Sequence, residues 1–282
     1  MAIIGFWSGS RKECGQTASI AAIATQMAVE HNYRILLVDA TYADDTMERC
    51  FWAVTKNNKK DFAAQVNKGK MDISSGAEGL VSAVASNKAT PEIITNFTRV
   101  VFKNRLDVVC GLKTQVREDW RKSLMLYKDL LKAADKYYDL VFVDLEKTLN
   151  DETTKVLLET SNIIIYNFTK NLKQADEYLE FMEKFPDLLK REKVIPLLSN
   201  SDDNVVYNVK NCTRYIKEKR DIATVPYNTT YVKSLSEAGV AQFFLTTRLS
   251  GKLSDKNTMF VGCVEEACKR IIEKLKELKL KT

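Results

Sequence analysis

Apolar positions along the chain gather into short unbroken runs, separated by longer stretches in which they recur at helical spacing. The runs at Ile3-Ile4-Gly5-Phe6, Ile35-Leu36-Leu37-Val38, Leu140-Val141-Phe142-Val143 and Ile163-Ile164-Ile165 do not alternate with polar residues. They are therefore strands buried on both faces of a sheet rather than strands with a wet side. The first strand begins at Ala2. Arg34–Asp39, Arg105–Gly111, Tyr138–Asp144, Asn162–Asn167, Lys193–Asn200 and Ile222–Pro226 follow it. Pro196 lies inside the sixth of these and removes a ladder donor, which predicts an edge position or a bulge there.

The intervening segments carry helical periodicity. Residues 18–31 place Ile20, Ile23 and Met27 on one face, and helices are predicted over 118–136, 151–159, 172–185, 204–219 and 258–280. The polar stretch 40–75 holds helical fragments at 47–52 and 60–66, residues 79–84 are helical, and Thr90-Pro91-Glu92 reads as a helix start with proline in its first turn. Strands alternating with helices predict α/β architecture: a single domain over residues 1–282, doubly wound, with a mostly parallel sheet of about seven strands flanked by helices. No internal repeat, low-complexity linker or domain boundary interrupts it.

Composition narrows the class without choosing a function. The 282 residues are long enough to bury a sizeable core, and the apolar and charged fractions, 45% and 28%, are those of an ordinary globular protein. A net charge of +6 permits weak attraction to anionic partners. The six cysteines form no Cys-x-x-Cys pair, which argues against zinc and for a reducing compartment. His31 is the only histidine, which argues against catalysis by a histidine pair or a histidine-ligated metal. The chain opens directly on its first strand and no apolar run reaches the ~18 residues of a spanning helix, so a soluble, cytoplasmic protein is expected.

The chemistry concentrates between the first strand and the helix behind it. Gly9-Ser10-Arg11-Lys12-Glu13-Cys14-Gly15-Gln16-Thr17 sits where a phosphate-binding loop belongs. In such a loop backbone N–H groups and the positive helix end face an anion, and a threonine hydroxyl at the helix start can hold Mg²⁺. Thr17 suits that role. The lysine that should precede it is replaced by Gln16. Asp39 and Asp144 close two later strands, and ligands of open α/β sheets collect beyond strand carboxyl ends.

Taken together, these segments resemble the MinD/ParA family of deviant Walker ATPases along most of the chain. The matching positions are the loop from Ser10 to Thr17, Ile35–Ala40, Leu106–Gly111, Tyr138–Asp144 and Val225-Pro226-Tyr227-Asn228 with the later Leu235-Ser236-Glu237-Ala238-Gly239. Within the family the chain is similar to the TadZ/CpaE-like pilus-localisation branch. The resemblance implies ATP or ADP with Mg²⁺ as cofactor, and a nucleotide site built from Ser10, Arg11, Lys12, Glu13, Cys14, Gly15, Gln16, Thr17, Ala18, Pro226 and Tyr227. It implies Thr17, Asp39 and Asp144 at the metal, and it places catalytic roles on Asp39 and on Arg11, which stands at the family's signature lysine. Thr41 stands where the family has a second acid, and Leu145-Glu146-Lys147 replaces its Thr-Pro-Pro segment.

Positioned positive charge is worth on the order of 10³ in phosphoryl-transfer rate, so a chain with Gln16 at the lysine position is at most a weak ATPase. The function expected from the resemblance is spatial positioning or assembly, as in localising pilus or secretion machinery, by a nucleotide-binding protein or pseudo-ATPase that homodimerises through its P-loop face and meets a protein partner. Recruitment to a membrane or polar assembly accompanies that reading. Two alternatives stand beside it: a slow partition ATPase contacting DNA non-specifically through Lys210, Arg214, Lys217, Lys219 and Arg220, and a nucleotide-free structural adaptor. The C-terminal stripe Val264, Ala267, Ile271, Leu275 and Leu278 is read as packing onto the sheet, with membrane contact at most peripheral.

Overall fold

The computed structural model describes residues 2–9, 14–42, 45–53, 76–86, 90–114, 116–147, 152–202, 208–219, 222–250 and 255–280. The predicted helical fragment at 60–66 lies outside them. The strands are β1 (Ala2–Trp7), β2 (Ile35–Ala40), β3 (Arg99–Phe102), β4 (Leu106–Val109), β5 (Leu140–Leu145), β6 (Ile163–Phe168), β7 (Val194–Ser201) and β8 (Ala223–Pro226). They form one sheet in the order β3-β4-β2-β5-β1-β6-β7-β8, parallel except where β3 runs antiparallel to β4. Every residue of β1, β2, β5 and β6 is buried, which is why these runs lack alternation.

The sheet therefore has eight strands rather than about seven. The additional one is β3, whose first two residues are exposed. Pro196 is tolerated in β7 because β8 pairs only from Leu197 onward, so the proline precedes the second ladder.

Two apolar layers sandwich the sheet. On one side α1 (Gln16–Glu30), α2 (Thr46–Phe51), α9 (Thr229–Ser236), α10 (Val240–Ser250) and α11 (Lys256–Leu280) cover the β-strand residues Ile4, Phe6, Leu37 and Phe142. On the other lie α3 (Ala77–Ala85), α4 (Arg117–Met125), α5 (Tyr127–Ala134), α6 (Glu152–Thr160), α7 (Leu172–Lys184) and α8 (Val209–Tyr215), over Trp7, Val38, Val143 and Tyr166. The predicted helix over 118–136 is two helices, because around Leu126 the backbone shifts to a three-residue bond, Leu126 N–H to Ser123 O at 3.1 Å. A 3₁₀ turn, Ile93–Phe97, follows the Thr90-Pro91 start.

Of the C-terminal stripe, Val264, Ala267 and Ile271 are buried against the core, together with Phe260 and Cys268, while Leu275 and Leu278 pack there partly buried. Phe243 and Phe244 are buried with it, while Leu245 remains exposed. His31 is half-buried, with its Nε2 3.1 Å from Glu265 of α11. Among the described residues no helix is long and apolar enough to cross a membrane.

Candidate functional site

β1 sits between β5 and β6, so the order in which strands are added to the sheet switches sides at this strand, the place where open α/β sheets receive ligands beyond the strand carboxyl ends. α1 starts at that end of the sheet, where Gln16 and Thr17 reach Asp144 of β5. Gly15 caps the helix with φ +66°, a left-handed conformation that glycine adopts without a Cβ penalty. A Cβ there would also lie 2.8 Å from Cβ of Ser199, so Gly15 rests directly on the end of β7.

The first intrahelical bond is Ser19 N–H to Gly15 O, 2.8 Å. The N–H groups of Gln16, Thr17 and Ala18 precede it and face the helix start, and no acidic side chain stands in that first turn. This is the electrostatic setting of an anion site.

Asp144 is the hub beneath it. It is 1% exposed, and both its oxygens meet consecutive residues of the loop. Gln16 Nε2 donates to Asp144 Oδ1 at 2.6 Å and to the Leu145 carbonyl at 2.7 Å, while the Thr17 hydroxyl donates to Asp144 Oδ2 at 2.7 Å. Both partners of the Gln16 amide are acceptors, which fixes its nitrogen toward them. Its Oε1 is left buried without a hydrogen-bond partner, a state that costs about 1–3 kcal/mol.

Asp39 lies beside Asp144 in the β2–β5 register and is 2% exposed. Its Oδ1 accepts from the Thr41 N–H at 2.9 Å and from the Thr41 hydroxyl at 2.7 Å. Thr41 thus supplies donors where the resemblance expected a second acid. Gly111, after β4, packs against Asp39 so closely that a Cβ would fall 2.9 Å from its Oδ2. Glu146 is turned to the neighbouring loop, where it accepts the Tyr42 N–H at 2.9 Å.

The structure thus brings Gly15, Gln16, Thr17, Asp39 and Asp144 together. Cys14 is buried directly before them, and Ala18 lies in the first turn of α1. Pro226 and Tyr227 reach the same end of the sheet but leave β6 and β7 between themselves and β1. Tyr227 is exposed there. Ser10, Arg11, Lys12 and Glu13 lie outside the described residues.

Sequence reading missed the polar floor under the loop. Ser19 and Ser199 hydroxyls lie 2.9 Å apart, and Ser199 donates to Asn167 Oδ1 at 3.4 Å. The signal was available, since Asn167 interrupts the apolar run of β6 and β7 closes on Ser199-Asn200-Ser201.

The donor set fits a magnesium-bound polyphosphate in part. The N–H groups that precede the first helical bond suit phosphate oxygens, and the Thr17 hydroxyl over the Asp144 carboxyl suits a hydrated divalent cation. Gln16 does not fit, because a neutral amide already engaged with Asp144 and Leu145 adds no positive charge to the loop.

No protein-family model and no curated protein matches the chain. Solved structures do. A ParA family ATPase from Chlorobium tepidum superposes with a TM-score of 0.66 at 14% identity, over 86% of this chain and 98% of that one. The septum site-determining protein MinD from Pyrococcus horikoshii, complexed with Mg-ADP, gives 0.63 at 13%, over 97% and 98%. A putative plasmid partition protein from Borrelia burgdorferi, bound to AMPPNP, gives 0.59 at 16%, over 94% and 97%. At such identities the likeness is one of architecture, and the chain has the fold of the ParA and MinD ATPases.

Proposed function

We propose that the chain is a nucleotide-binding positioning protein that takes ATP or ADP with Mg²⁺ and hydrolyses it slowly at most. The observation that supports this most is the shared grip on Asp144: Thr17 and the aspartate stand ready for a hydrated cation, while Gln16, which the resemblance sets at the lysine position, is engaged with Asp144 and the Leu145 carbonyl. In this reading the N–H groups of Gln16, Thr17 and Ala18 bind phosphate oxygens, and Thr17 with Asp144 and Asp39 holds the magnesium shell. The bound Mg²⁺ supplies charge neutralisation. The carboxyl end of the sheet becomes the dimer face, and the dimer docks a protein assembly such as pilus or secretion machinery, at a membrane or pole.

Phosphate release and sedimentation test this together. With Mg-ATP the wild type is expected to shift toward dimer and to turn over near background, and Gln16→Lys to raise turnover at least about tenfold. Rapid wild-type turnover, or a monomer unmoved by nucleotide, would refute it.

The exposed cations Lys210, Arg214, Lys217 and Lys219 along α8 and its following turn favour a second reading, partition with non-specific DNA contact. Retention on DNA that falls steeply with salt supports that reading, and no retention at low salt removes it.

A further inference from the structure

The hydroxyl of Tyr231 crosses from α9 to the phosphate-loop helix and donates to the Ala18 carbonyl at 2.6 Å, in the first turn of α1. The contact spans 213 positions of sequence, and no helical periodicity predicts it. The ring is held on every side. It packs against Phe260, Phe243 and Phe244 with centroids 4.7, 5.5 and 6.0 Å away. The backbone is held as well: Asn228 Oδ1 accepts the Tyr231 N–H at 2.8 Å, and Asn228 Nδ2 reaches Asn257 Oδ1 of α11 at 3.1 Å. Burial pushes the phenol well above the ordinary tyrosine range, so the group remains an O–H donor throughout the working pH range.

A purely apolar ring would fill this space equally well, since the Ala18 carbonyl already serves the ladder of α1. The hydroxyl therefore acts as an additional tether, applied at the turn whose N–H groups would meet phosphate. We propose that Tyr231 is a positioning residue for the phosphate loop: it transmits the packing of α9, α10 and α11 to the first turn of α1 and holds that turn in its anion-binding orientation. Only the ligand arm of its test rests on the nucleotide reading above.

Two variants separate positioning from packing. Tyr231→Phe keeps the ring and removes the tether, and Phe244→Leu loosens the same aromatic cluster while leaving the hydroxyl in place. Amide exchange in the ligand-free protein is expected to quicken about fivefold at Ser19, the first bonded amide of α1, in Tyr231→Phe and to stay near wild type there in Phe244→Leu. Thermal midpoints are expected in the opposite order, with Phe244→Leu the lower. Isothermal titration with Mg-ATP is expected to show about fivefold weaker binding for Tyr231→Phe alone. Unchanged exchange at α1 in Tyr231→Phe, or equal quickening in both variants, overturns the proposal. If the exchange pattern holds and wild type gives no heat with Mg-ATP, positioning of the turn stands and the nucleotide reading falls.

Discussion

Gly15 carries two constraints in one residue, a left-handed φ of +66° and contact with Ser199. Gly15→Ala is expected to cost about 1–3 kcal/mol in urea unfolding, since both the backbone and Ser199 must give way. Among the cysteines, Cys263 is exposed and the others are buried. Burial, with Glu48 as the next cause, pushes the Cys110 thiol up to about 12, far from its reactive thiolate. Maleimide at neutral pH is expected to label Cys263 first, as peptide mapping will show; early labelling of Cys110 would contradict the burial. Asp107 offers a pH signature. Burial raises its carboxyl above the ordinary range, and the Tyr138 hydroxyl, 2.8 Å from Oδ2, offsets only part of this. The ionised form is thus disfavoured in the fold, so stability is lost as pH rises through the raised folded value. Asp107→Asn is expected to melt higher than wild type at pH 7, with the difference vanishing near the ordinary aspartate value of about 4. A difference independent of pH would rule out this cause.

At the level of elements, α9 depends on its cap. Asn228 accepts the Tyr231 N–H with Oδ1 and spends its Nδ2 on the Lys256 carbonyl and Asn257. Asn228→Ala is expected to cost about 1–2 kcal/mol, measured by denaturant unfolding, through loss of the cap and of the link to α11. What the sequence disclosed about elements follows from burial. β1, β2, β5 and β6 were legible because every residue is buried and the apolar run is unbroken. β3 was not, because Arg99 and Val100 face solvent and its anchor is tertiary, with Arg99 stacked 3.9 Å over the Trp52 ring. α9 and α10 also escaped prediction: α9 is eight residues long and α10 starts immediately behind Gly239, so neither shows a long period. In the candidate site, Thr17, Asp39 and Asp144 were legible as strand and helix ends. The roles of Thr41, Gly111, Ser199 and Tyr231 depend on contacts between elements that the order of residues does not display.

The whole molecule joins these scales through its sheet order. Placing β1 between β5 and β6 carries the start of α1, Asp144 and Asp39 to one end of the sheet, and the α9–α11 layer packs against α1. In the proposed function this end of the sheet binds a magnesium nucleotide although Gln16 brings no positive charge to the loop. Calorimetric titration of the full chain with Mg-ATP tests it most directly. The expected result is saturable one-to-one heat with Kd tighter than about 1 mM, beyond about −4 kcal/mol, that weakens when Mg²⁺ is chelated and in Thr17→Ala. A wild type that gives no heat at near-millimolar Mg-ATP, while folded by its melting curve, would contradict it.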